Sequence, residues 1–174
     1  MAIAGPLRIP LNPFPGRYLH VAVFDEVSNS AEVCAWVRKP EAGCAAIDAR
    51  MVVDASQLFA AALVALHAEA RGKLMTHGLY SEALFALSAS RQISDAFRRF
   101  GVSETCTRMV FVTFDDATAA RLATNVRGKL VDPSSLAAGC DEAALRKAYK
   151  VPESELRFGT LSDAIVSRIA TSRL

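Results

Sequence analysis

Arg17-Tyr-Leu-His-Val-Ala-Val-Phe24 is the stretch on which the fold turns. It is almost continuously apolar, with β-branched Val21 and Val23 and aromatic Tyr18 and Phe24. Such a run fits a strand with both faces covered, since a strand with one face in water would alternate apolar and polar residues. Helices are therefore expected on both sides of its sheet. Working back, residues 1–16 carry Pro6, Pro10, Pro13 and Pro15. They are expected to lead into this strand or pack on it, and they do not form the helical core of a signal peptide.

Working forward, Ser28 or Asn29 caps a helix that runs to about Arg38 and is ended by Pro40 and Gly43. The alanine-rich stretch 42–49 reads as a loop. Asp54 caps a longer helix to about Arg71, closed by Gly72. Its apolar positions go all round, with Leu58, Ala62, Ala65 and Leu66 on one side and Phe59, Leu63 and Ala70 on another, as in a central buried helix. Leu79 to Leu87 and Arg108 to Phe114 read as strands. Between them Ser90 starts a helix with Ile93, Ala96, Phe97 and Phe100 on one face, so strand, helix and strand predict a crossover unit. A helix near 117–125, a short strand at 129–131 and helices near 142–149 and 160–171 complete the chain. The expected class is α/β (α+β): one domain over 1–174, a mixed β-sheet with helices packed on both faces.

Composition narrows the function. Of 174 residues, 20 are Lys or Arg and 18 are Asp or Glu, a balance that excludes a strongly basic nucleic-acid binder and a disordered tail. The longest apolar run, Leu58 to Leu66, is nine residues, against about 20 for a membrane span. Cys34, Cys44, Cys106 and Cys140 form no CxxC pair, and His20, His67 and His77 show no i, i+4 spacing, so no metal is expected. Four reduced thiols fit a cytoplasmic or nuclear setting. There is no Gly-rich phosphate cradle and no GxSxG, and the carboxylate pairs Asp25–Glu26 and Asp115–Asp116 read as solvated turns. Nothing assembles an acid, a base and a nucleophile. No catalytic residue and no cofactor is expected.

Two places carry more than a structural pattern. Thr160 and Asp163 begin the last helix as a capping box, and Leu161, Ala164, Ile165 and Ile169 form its core stripe. Arg168 falls within that stripe and needs a structural ion pair, because an unpaired buried charge is costly. The opposite face, Asp163, Val166, Ser167 and Ala170, is small and partly apolar, suited to close approach by a partner. The second place is Ser88-Ala-Ser-Arg-Gln92, where donors surround a helix start and could seat a phosphate; Ser90 could equally be a plain cap.

Val52-Val-Asp54 with Gln57-Leu58, Tyr80-Ser-Glu-Ala-Leu-Phe-Ala-Leu-Ser88, Arg91-Gln-Ile-Ser-Asp-Ala-Phe-Arg-Arg-Phe-Gly101, Leu145-Arg-Lys-Ala-Tyr-Lys150 and Gly159-Thr-Leu-Ser-Asp-Ala-Ile-Val-Ser-Arg168 follow one another in an order that resembles the TPRKB family. Segments 42–49 and 115–139 match it poorly. The resemblance implies a non-enzymatic subunit of the KEOPS (EKC) complex, present in cytoplasm and nucleus, that binds the small atypical kinase PRPK. Another subunit of that complex makes threonylcarbamoyladenosine on ANN-decoding tRNAs. The family also implies recognition of the single-stranded CCA end of tRNA. In this chain Tyr80 and Glu82, on the expected strand, together with Ser88, Ser90, Arg91 and Gln92, are the expected residues for that end. Competing readings are a small-molecule-binding protein or enzyme built around Glu82 and Arg91, or around His77, and a free-standing RNA-binding module. The net charge of +2 weighs against the last.

Overall fold

In the computed structural model, which describes residues 5–173, strand β2 (Tyr18–Asp25) is paired along both edges. Its six interior residues are buried. Because successive side chains point to opposite faces, Leu19, Val21 and Val23 enter one core while Ala22 and Phe24 enter another. On one edge lies β4 (Met109–Thr113), and beyond it β3 (Ala45–Asp48). On the other edge, β1 (Leu7–Pro10) pairs with the first half of β2 and β5 (Lys129–Val131) with the second half. Pro10 is tolerated because β1 is an edge strand.

The first core is roofed by α2 (Ala55–Ala70), with α3 (Leu79–Leu87), α4 (Ile93–Phe100), α6 (Leu136–Gly139), α7 (Glu142–Tyr149) and α8 (Leu161–Thr171) contributing around it. The second is covered by α1 (Ser30–Val37) and α5 (Asp116–Asn125). Helix α2 packs between α3 and α8, which is why its apolar residues go all round. Asp54 Oδ1 caps it, accepting from the N–H groups of Ser56 (2.9 Å) and Gln57 (3.2 Å). No helix among the described residues is long and apolar enough to cross a membrane.

The expected class, helices on both faces of one sheet, is what the chain builds. Two segments differ from their expected form. Residues 79–87 are helix α3, not a strand: a short apolar run is ambiguous between the two, and Leu, Glu and Ala favour the helix. Gly78 N–H donates to Ser81 Oγ at 3.1 Å and starts it. Residues 45–48, read as loop, are strand β3. It completes the edge of β4 with small residues that fit between the layers, Ala45 and Ile47 in one core and Ala46 in the other. With α3 helical there is no crossover unit, and every strand pairing described is antiparallel.

Candidate interaction surfaces

Helix α8 is held at both ends. Thr160 Oγ1 accepts from Asp163 N–H, and Asp163 Oδ2 accepts from Thr160 N–H, each at 3.1 Å. The Thr160 hydroxyl and then its amide hold the Asp163 carboxyl below its ordinary range. Arg168 forms a bidentate pair with Glu155, Nη1 to Oε1 at 2.8 Å and Nη2 to Oε2 at 2.7 Å. It also donates to the carbonyls of Ala164 and Lys150. These bonds hold the Glu155 carboxyl below its usual range. Of the face turned from the core, Asp163, Ser167 and Ala170 are exposed and Val166 is half-buried against the first core. Just before the helix stands Phe158, 93% exposed.

The structure does not gather the six residues expected for an RNA end. Ser88 is buried; its hydroxyl donates to Phe85 O at 2.7 Å and accepts from Ser90 N–H at 3.1 Å. Ser90 is not the helix cap: α4 starts later, at Ile93, with Gln92 in the cap position. The Ser90 hydroxyl instead accepts from Gln92 N–H at 3.1 Å, an ST-turn ahead of the helix. Arg91 and Gln92 are exposed at this end of α4. Glu82 lies on α3 rather than on a strand, wholly buried, and its oxygens are committed to Met75, Thr76 and Arg173. A carboxylate so placed is closed to a base amino group.

Tyr80 faces elsewhere. Its ring stacks on Phe114 at 5.7 Å, and it lines a groove of about 620 Å³. The groove opens between the end of α1, the segment 40–46, the start of α3 and the far end of α4. Exposed Arg38, Lys39 and His77 stand around it, and Phe97, 39% exposed, offers a ring face. No carboxylate is among the described residues that line it. Positive charge beside aromatic surface is what an anionic, aromatic ligand requires. Cys44 is buried in the same wall, and burial pushes its thiol up to about 12, so it is no nucleophile. Among the described residues no group of His, Cys, Asp and Glu could hold a metal ion.

Residues 24–173 match the family described as "Kinase binding protein CGI-121". This chain belongs to the CGI-121 family. It is 36% identical over 152 residues to the EKC/KEOPS complex subunit TPRKB of Danio rerio, which covers 85% of this chain and 87% of the relative. It is 31% identical to the EKC/KEOPS complex subunit CGI121 of Eremothecium gossypii, over 94% of this chain and 97% of the relative. To the cgi121 subunit of Schizosaccharomyces pombe it is 30% identical, over 90% and 94%. In this CGI-121 chain the sequence reading missed Arg38, Lys39 and Phe97 as groove residues. Phe97 has a signal only in retrospect, since it sits at the edge of the α4 stripe. Phe158 was missed too: it stands between Arg157 and Gly159, ahead of the capping box, and its exposure shows only in the fold.

Proposed function

We propose that this chain is the non-catalytic, kinase-binding subunit of a KEOPS/EKC-type complex. In this reading it binds a PRPK-type atypical kinase through the exposed face of α8. It also helps recruit tRNA by its single-stranded 3′ CCA end for threonylcarbamoyladenosine modification of ANN-decoding tRNAs. The family description and the relatives' names support the kinase and the complex. The observation that carries the RNA half is the groove: cationic Arg38 and Lys39, the rings of Tyr80 and Phe97, and no opposing carboxylate in its described lining. Single-stranded ends are held by donors to phosphates and surfaces on which bases stack. The groove therefore replaces the Ser88 to Gln92 turn as the seat of the terminal nucleotides, with Arg91 and Gln92 left outside it.

A complex reconstituted with the kinase and offered intact tRNA or tRNA lacking its CCA end tests both halves. Stable capture of the kinase, with binding only of intact tRNA, is the expected result. Equal binding of the two tRNAs by the wild-type complex would refute RNA-end recognition. A groove of this volume also falls in the range of small-ligand sites. Saturable binding of a mononucleotide with no discrimination between the tRNAs would favour a small-molecule site instead.

A further inference from the structure

None of the Glu82 side chain reaches solvent. Its Oε2 accepts from the backbone N–H groups of Met75 and Thr76 and from Thr76 Oγ1, each at 2.9 Å. Its Oε1 accepts from Arg173 Nη2, also at 2.9 Å. Burying a carboxylate this deep is costly unless a counter-charge and hydrogen bonds meet it. Arg173 supplies that charge from the turn just past the end of α8, its guanidinium 4.4 Å from the Phe85 ring. The backbone that Glu82 holds runs straight on into His77, Gly78 and Tyr80, one wall of the groove. Ser81 Oγ, donating to Thr76 Oγ1 at 3.0 Å, ties the same turn to the start of α3.

We propose that Arg173 is a positioning residue for the groove: by pairing with Glu82 and fixing its side chain in place it holds the 75–78 turn, and with it the wall that carries His77 and Tyr80. The inference rests on the groove's reading as an RNA-end site and deepens it. The end of α8, whose other face is the candidate kinase surface, is thereby linked mechanically to the RNA side of the molecule. Removing the single charge of Arg173 should loosen the 75–78 turn, which is far from it in sequence.

The test compares wild type, Arg173→Ala and Arg173→Lys at a temperature where all three remain folded. Residue-resolved amide exchange is read at Met75 and Thr76, and affinity is read with a short RNA ending in CCA. Arg173→Ala should lose protection at these two amides while the β2 amides keep theirs. It should bind the RNA more weakly by about 3- to 30-fold, the range for residues that act on a site through a contact network. Arg173→Lys, which restores the charge, should recover most of both. Unchanged exchange at Met75 and Thr76 in Arg173→Ala overturns the proposal, as does lost protection with full RNA affinity. Failure of wild type to bind the RNA would instead overturn the groove's proposed function, and the exchange comparison would still decide the clamp.

Discussion

The Tyr149 hydroxyl donates to Leu87 O and accepts from Gln57 Nε2 at 2.9 Å, while Gln57 also donates to Met51 O and accepts from Val53 N–H. Both side chains are buried, and burial pushes the Tyr149 phenol above its ordinary range. Tyr149→Phe leaves the last α3 carbonyl and one amide hydrogen without partners, and urea unfolding should show a loss of about 1–3 kcal/mol. Glu155 offers a pH signature. Its folded-state carboxyl lies below its ordinary value of 4.5, chiefly through the bonds to Arg168. A depressed carboxyl contributes stability above its unfolded value and loses it as pH falls through the folded one. The melting temperature of Glu155→Gln should therefore lie below wild type at pH 7, with the gap closing as pH falls below about 4.5. A gap that persists unchanged at pH 3 would show that the pair is not its source.

Helix α8 buries Ala164, Ile165 and Ile169 and leaves Asp163, Ser167 and Ala170 exposed. Ala170→Glu places a charge on the outer face only. Calorimetry should show weaker kinase binding, roughly 2–5 kcal/mol if the residue is central to the contact, with an unchanged melting temperature for the free protein. This helix was legible in the sequence because its capping box and its stripe agree. Helix α3 was not, since Leu79 to Leu87 is a short, mostly apolar run, broken only by Ser81 and Glu82, that shows no clear helical stripe. Strand β3 was hidden by its alanines, which have weak strand preference and acquire it only from the open edge of β4. The groove was the least legible feature. Arg38, Lys39, His77, Tyr80 and Phe97 come from separate segments with no common spacing, and only the fold brings them together.

For the whole molecule, the near balance of charge sets how it meets RNA. With Arg38 and Lys39 as the cations at the groove, about two phosphates are neutralised. The affinity for a CCA-ended RNA should then fall with salt on a log–log slope of about −1.4, taking −0.7 per phosphate on a single strand. A slope steeper than about −3, measured between low and moderate salt, would place the contact on a broader basic surface than this groove.

The way β1 and β5 divide one side of β2 between them also bears on how the protein behaves when crowded with copies of itself. A sheet margin invites another chain to add a strand in proportion to its unbroken length. Here that margin is split into pieces of four and three residues, one of them ending in proline. At the opposite margin Ile47 of β3 is already bridged to Gly101. Among the described residues neither side offers a long template, so the same layout that closes the fold also guards against edge-to-edge aggregation.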